Sequence, residues 1–199
     1  MKTLNIPPPE LVPQDYFAPL DPAEIFARPA PLEIDLGCGD GNFLVALAER
    51  YPERNFLGIE RLLGRVRSAC GKAARASLPN VRILRIESSY AVQYLFPPRS
   101  VAAMHLLFPD PWPKKRHHRR RIVTPEFLGD VHRALARGGR FRIATDQEDY
   151  FQAMEELISS TEFCQKRGDG DETFPLSTFE KRFVGEGIPI YRLDLRKVC

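Results

Sequence analysis

The chain has 199 residues, 43% of them hydrophobic and 28% charged, which suits one soluble α/β domain with a full core and is short for two. No apolar run approaches the roughly 20 residues of a bilayer span, the N-terminus lacks a basic-then-apolar signal pattern, and Cys38, Cys70, Cys164 and Cys199 show neither a Cys-x-x-Cys pair nor zinc-like spacing with histidine; a cytoplasmic protein with no metal and no membrane partner is expected, its scattered thiols fitting a reducing compartment. The net charge of +3 conceals an uneven distribution, because Lys114 to Arg121 carries six permanent cations and the remainder of the chain sums to −3.

The first 31 residues hold eight of the 18 prolines. Proline fixes φ and removes a backbone donor, so residues 1–31 read as an extended, irregular arm beside a domain spanning residues 32–199. From residue 32, strands and helices alternate. Leu32–Leu36 is a short apolar run ending in glycines, and Phe43, Leu44, Leu47 and Ala48 follow at helical spacing. Asn55–Glu60 reads as the second strand, a helix covers about Leu62–Ser77, and Val81–Glu87 is the third strand. A short helix around Tyr90–Leu95 leads to strand four, Val101–Phe108. Thr124, Pro125 and Glu126 mark a helix start through a capping hydroxyl and proline in the first turn. That helix should run to about Ala136 and stop at Gly138-Gly139. Arg140–Thr145 is strand five, Glu148–Ser160 a helix and Glu162–Arg167 strand six. The polar loop Gly168–Asp171 follows. Phe179–Val184 forms a helical turn, and Pro189–Leu195 is the last strand. The repeated strand–helix units imply a doubly wound α/β fold: a mostly parallel seven-stranded sheet whose final two strands, lacking a helical crossover, pair antiparallel at one edge.

Ligands in such folds sit beyond the carboxyl ends of the strands. The first strand runs into Gly37-Cys38-Gly39-Asp40-Gly41, where alternate glycines allow tight turning and close approach to a ligand. The dinucleotide pattern G-x-G-x-x-G fails in both registers, since Asn42 or Leu44 occupies the third glycine position, and no phosphate-binding G-x-x-x-x-G-K-[ST] occurs. Acids surround the loop instead. Glu60, ending strand two, is placed to accept both hydroxyls of a ribose, and either Glu33 or Asp35 can attract an amino or sulfonium group. These features suit S-adenosylmethionine, which is cationic and has no pyrophosphate.

Strand four ends in Phe108-Pro109-Asp110-Pro111-Trp112-Pro113, followed by the basic run. The flanking prolines restrict Asp110, leaving a stiff carboxylate at the strand's carboxyl end. Trp112, the single tryptophan, either stacks on a base or packs under its own loop. Six cations beside a small-molecule site suit the phosphates of a nucleic acid, positioning it without reading bases.

These residues carry a resemblance. Glu33–Gly41, Gly58-Ile59-Glu60, the Phe108–His117 segment, Ala144-Thr145-Asp146, Ser177–Glu180 and Pro189-Ile190-Tyr191 look like the bacterial tRNA (guanine-N7)-methyltransferases over roughly residues 32–195. The resemblance implies a class I S-adenosylmethionine-dependent, Rossmann-like methyltransferase that modifies N7 of a variable-loop guanine in tRNA, as a monomer or homodimer. It implies cofactor binding by Glu33, Glu60 and Asp110, with Gly37 and Gly39 in the glycine loop. Ser88 stands where the family usually has Asp or Asn, and Glu87 is the nearby acid that can compensate. Asp110 is also the implied catalytic residue. Lys114, Asp146 and the segment Ser177, Thr178, Phe179 and Glu180 match substrate-binding positions, the last resembling a Thr-x-x-Glu motif with Ser in place of Thr.

Two other readings fit parts of the chain. A small-molecule methyltransferase leaves the clustered cations without a purpose. A non-catalytic RNA-binding module leaves Glu33, Glu60 and Asp110 without one.

Overall fold

The computed structural model describes residues 8–165 and 174–198. Strands β1 (Glu10–Leu11), β2 (Leu32–Leu36), β3 (Asn55–Glu60), β4 (Val81–Arg85), β5 (Val101–Leu107), β6 (Leu135–Thr145), β7 (Phe163–Gln165) and β8 (Tyr191–Lys197) form one sheet in the order β1-β4-β3-β2-β5-β6-β8-β7. The helices are α1 (Pro22–Ile25), α2 (Asn42–Arg50), α3 (Leu63–Arg75), α4 (Ser88–Tyr90, continuing as a π-helix over Ala91–Leu95), α5 (Pro125–Ala134), α6 (Glu148–Ser159) and α7 (Thr178–Glu186). The sheet is parallel from β1 to β6, and β8 then inserts antiparallel between β6 and β7. The seven expected strands are therefore present with the antiparallel edge, and β1 adds an eighth by pairing Glu10 and Leu11 with Ile83 and Leu84.

All residues of β2 and β3 are buried, as expected for central strands covered on both faces. Alternating side chains feed two cores. Leu57 and Leu84 face one cluster with Phe127, Leu128 and Val131 of α5 and Tyr150 and Met154 of α6. Phe56 and Ile83 face the other, with Leu44 and Leu47 of α2 and Val66, Ala69 and Ala73 of α3. Close approach on this second face requires Gly58, where a Cβ would lie 2.7 Å from both Cys38 Sγ and a methyl of Leu44.

Two expectations shift. The arm is not wholly irregular: Asp21 caps α1 by accepting from Ala23 N–H, and Leu20, Ile25 and Phe26 are buried in the core. Gly138-Gly139 do not end α5. The helix stops at Ala134, and the glycines lie within β6, where the register against β5 slips between Val101 and Ala103. Gly138 takes a left-handed φ of 74° there, so these glycines serve a bulge. Strand six is observed as Phe163–Gln165, and Lys166, Arg167 and the Gly168–Asp171 loop lie outside the described residues.

Arg133 of α5 reaches across to the π-helix, donating to the carbonyls of Phe96 (2.8 Å), Val92 (2.8 Å) and Gln93 (2.9 Å). A widened turn leaves terminal carbonyls without helical partners, and one guanidinium collects three. Replacing Arg133 by Met should keep the aliphatic packing but lose these bonds, lowering stability by about 2 kcal/mol. Thermal melts should show a Tm drop of roughly 4–8 °C for a chain of this size; a change within about 1 °C would remove the staple from the account.

Candidate active site

The cleft opens at the carboxyl ends of β2, β3, β4 and β5. Gly37, Gly39 and Gly41 take left-handed φ values of 74°, 57° and 79°, folding the loop back on β3. The N–H groups of Gly37 and Cys38 both donate to Ile59 O, at 2.8 and 2.9 Å. Glu60, buried at the end of β3, accepts from Gly39 N–H (3.2 Å) and Leu62 N–H (2.8 Å). Its carboxylate is thereby aimed before any ligand arrives.

Two adjoining cavities of about 310 Å³ each make up the cleft. The first contains Glu60, Ile86, Glu87, Ser88, Trp112 and Arg120. The second contains Asp35, Gly39, Asp40, Thr178 and Phe179. Gly37, Arg65, Leu107, Phe108 and Asp110 line both. Asp110 is exposed and stands at the junction. Its loop is held in an unusual shape, since Phe108 and Trp112 adopt left-handed φ values of 53° and 45°, costly for non-glycine residues. Phe108 is fixed there by N–H donation to Ala144 O at 2.7 Å and by ring contacts with Phe179 (5.8 Å) and Phe183 (5.2 Å) of α7. Trp112 packs within its own loop, against Arg120 (4.8 Å) and edge-on to His117 (5.9 Å), and still lines the first cavity.

The two acids of β2 differ in environment. Asp35 lines the second cavity, and burial, aided by the nearby Glu60 charge, pushes its pKa up to about 7. Glu33 is not brought into the cleft. It lies two residues earlier, paired across the sheet with Phe56 and Ala103, and is buried against Arg54 Nη1 (2.6 Å) and His105 Nε2 (2.9 Å). Burial alone would raise its pKa, but these two partners outweigh that and hold it at about 2. Burial pushes the His105 pKa down, against the pull of the Glu33 carboxylate that it bonds.

The remaining expected residues separate. Ser88 opens α4 and lines the first cavity. Ser177 and Glu180 form a capping box at the start of α7: Glu180 N–H donates to Ser177 Oγ (3.2 Å), and Ser177 N–H to Glu180 Oε2 (2.9 Å). Glu180 Oε1 also accepts from Arg192 (3.0 Å). Both residues are buried; Ser177 still lines the second cavity beside Thr178 and Phe179, whereas Glu180 is not among the described residues lining it. Thr178 accepts from Asn42 Nδ2 at 2.8 Å, tying α7 to the glycine loop. Lys114 is exposed and Asp146 is half-buried after β6, where its carboxylate accepts from Gln147 Nε2 (2.6 Å); neither is among the described residues lining the two cavities.

The basic run is five outward cations and one anchor. Lys115–Arg120 form a 3-10 helix, and Lys114, Lys115, Arg116, Arg119 and Arg120 are exposed. Arg121 is buried, paired with Asp149 (2.5 Å), donating to Pro111 O (2.8 Å) and lying over the Tyr150 ring at 4.4 Å. It clamps the Asp110 loop to α6 and is unavailable to phosphates. Sequence reasoning also missed Asn42 and Arg65. Arg65, in the first turn of α3 five residues after Glu60, had a signal: helices that follow such strands begin at the cleft.

This arrangement is that of the S-adenosylmethionine-dependent methyltransferases of class I. In fold the chain is similar to the 16S rRNA methyltransferase KamB (TM-score 0.63, 17% identity, 89% of this chain and 92% of that one) and to an antibiotic-related methyltransferase (TM-score 0.62, 20% identity, 87% and 92%). Residues 29–193 match the family described as "Putative methyltransferase". Relatives named tRNA (guanine-N(7)-)-methyltransferase include those of Aeromonas hydrophila (37% identity, 90% of this chain and 78% of that protein) and Geobacter metallireducens (34% identity, 95% and 92%). The chain belongs to the tRNA (guanine-N(7)-)-methyltransferase family.

Because the folded pKa of Asp35 lies above its ordinary 3.8, the native state binds the extra proton between about pH 4 and 7, and the group's contribution to stability falls as pH rises through 7. Asp35→Asn removes this dependence. The stability of the variant relative to the parent should therefore be more favourable at pH 8 than at pH 5, by on the order of 2–3 kcal/mol. Calorimetric melts at the two pH values read this directly; a difference independent of pH would mean that Asp35 titrates as an ordinary carboxylate.

Proposed function

We infer that this chain transfers the methyl group of S-adenosyl-L-methionine to N7 of a variable-loop guanine in tRNA, with residues 32–199 as the catalytic domain and residues 1–31 as a Pro-rich N-terminal arm. The observation that carries this reading is the position of Asp110, at the junction of two acid-lined cavities and at the foot of an exposed basic helix. The chemistry of the donors fits the cofactor. Asp35, Asp40, Glu60, Glu87 and Asp110 line the cleft, an environment hostile to a pyrophosphate and favourable to a cation. When bound, S-adenosylmethionine supplies an electrophilic methyl group.

Glu60 holds the ribose hydroxyls, since each of its oxygens retains a lone pair beyond the backbone bond it accepts. Gly37 and Gly39 let the backbone approach the amino-acid half. Ser88 and Glu87 face the adenine end, where a hydroxyl and a carboxylate together serve in place of the usual Asp or Asn. Guanine N7 already carries a lone pair, so no residue has to abstract a proton. The protein's work is orientation and charge stabilisation: Asp110 orients the purine edge and stabilises it as it becomes cationic, assisted by Asp146. Thr178 and Phe179 contact the target nucleotide, and Lys114 and the exposed arginines hold phosphates. The free thiols of Cys38 and Cys70 accord with a cytoplasmic location, and the chain is read as a monomer or homodimer; no described helix is long and apolar enough to cross a membrane.

The direct experiment is methyl transfer from labelled S-adenosylmethionine to unmodified tRNA, with nucleoside mass spectrometry. Formation of 7-methylguanosine is expected, and Asp110→Ala should lower turnover by about 100-fold or more with little change in Tm; equal turnover in the variant would sink the catalytic role. Replacing Lys115 and Arg119 together by Ala should weaken tRNA binding and reduce the slope of log K against log salt by roughly 2, leaving turnover at saturating tRNA intact. An unchanged slope would place the RNA on another face.

A further inference from the structure

The second cavity has a charge pattern that the reading above leaves partly unused. Among the described residues lining it are three carboxylates, Asp35, Asp40 and Asp110, and a single cationic side chain, Arg65. The carboxylates suit the ammonium and sulfonium of the cofactor. Its amino-acid half also carries a carboxylate, which needs donors in this otherwise acidic space.

The glycine loop is the obvious source of donors, and its N–H groups are largely committed. Gly37 and Cys38 donate to Ile59 O, Gly41 to Cys38 O (3.0 Å), Gly39 to Glu60 Oε2 and Asn42 to Asp40 Oδ1 (3.4 Å). Lys72 is engaged by Asp40 at 2.6 Å. Arg65 is differently placed. It projects from the first turn of α3, lines both cavities, is 56% exposed, and stands 3.9 Å from Glu60 Oε2. That contact is far looser than the 2.6 Å pair between Arg54 and Glu33, so the guanidinium is attracted to the cleft without being tied down.

We propose that Arg65 is the anchor for the cofactor's carboxylate, and that it makes the site selective for an S-adenosyl amino acid over nucleosides lacking that group. This rests on the reading of the cleft as an S-adenosylmethionine site. A planar fork of donors suits a carboxylate through paired hydrogen bonds. Its position between the cavities lets it hold the amino-acid half while Glu60 holds the ribose. Arg65 is thus a binding and specificity residue with no proton to transfer.

The test is calorimetric titration of the full chain with two ligands, S-adenosylhomocysteine and its decarboxylated form, S-adenosyl-3-thiopropylamine, which keeps the amine and thioether. The parent should prefer S-adenosylhomocysteine. Arg65→Ala should weaken S-adenosylhomocysteine by roughly 10- to 100-fold and leave the decarboxylated ligand nearly unchanged, so that the preference disappears. Arg65→Lys should recover part of it, and tRNA affinity should be unaffected. Equal weakening of both ligands would assign Arg65 to Glu60 and the ribose and overturn the proposal, as would a loss confined to tRNA binding. A parent that binds neither ligand would overturn the cofactor reading itself, an outcome distinct from failure of the Arg65 assignment alone.

Discussion

The architecture depends on how the central strand buries two carboxylates on one face. Glu33 and Asp35 are two residues apart on β2, so both project to the same side, and both are almost fully buried. Glu33 is compensated by Arg54, beside the start of β3, and by His105 in the middle of β5, so its charge ties the strands flanking β2 to one point. Removing Arg54 leaves the buried Glu33 carboxylate without this charged partner, a change of the kind that typically costs several kcal/mol. Its stabilisation is present above the ordinary carboxylate pKa of 4.5 and is lost as pH falls towards 2. Asp35 has no such compensation and is correspondingly hard to ionise. The same strand therefore supplies a structural acid that is satisfied internally and a cleft acid whose charge calls for a cationic ligand.

The cleft is assembled from distant parts of the chain, and small polar contacts fix their relation. Asn42, opening α2, bonds both Asp40 in its own loop and Thr178 on α7. Phe108 reaches α7 from the other side through Phe179 and Phe183. The left-handed turn at Phe108 is thus held by packing, which is how a strained conformation persists at a functional loop. Arg121 completes the arrangement by pinning the far end of that loop to Asp149 and Tyr150. Asp110 is consequently stiffened from both flanks while its own carboxylate stays open to solvent.

The parallel strands were legible in the sequence because each is a short apolar run of the kind that buries both faces, and the glycine loop because three alternate glycines have few other uses. What escaped was information carried by partners. Nothing local distinguishes Glu33 from Asp35; only Arg54 and His105, brought up by β3 and β5, do so. Ser177–Glu180 reads equally well as a ligand motif and as a capping box, since both use a hydroxyl three residues before a carboxylate. The fold uses Ser177 and Glu180 as the cap and brings Thr178 and Phe179 to the cavity beside Ser177. Gly138-Gly139 likewise serve a bulge in place of a helix terminus, because β6 must slip register beside β5. Arg121 belongs to the basic run by sequence and to the core by position.

Charge is finally separated by depth. The cleft floor is acidic, with the buried Asp35 and Glu60, whereas the 3-10 helix at its mouth exposes Lys115, Arg116, Arg119 and Arg120. A uniformly basic site would repel a cationic cofactor, and a uniformly acidic one would repel a polyanion. Screening in water limits surface fields to about 8–10 Å, so cations at the mouth suit phosphates arriving from solvent while the buried acids below suit a cation. Arg120 spans the boundary, stacked on Trp112 and lining the first cavity. The modest net charge of +3 conceals this local separation of charge, and under the proposed function its spatial order suits a cation bound beneath a nucleic acid.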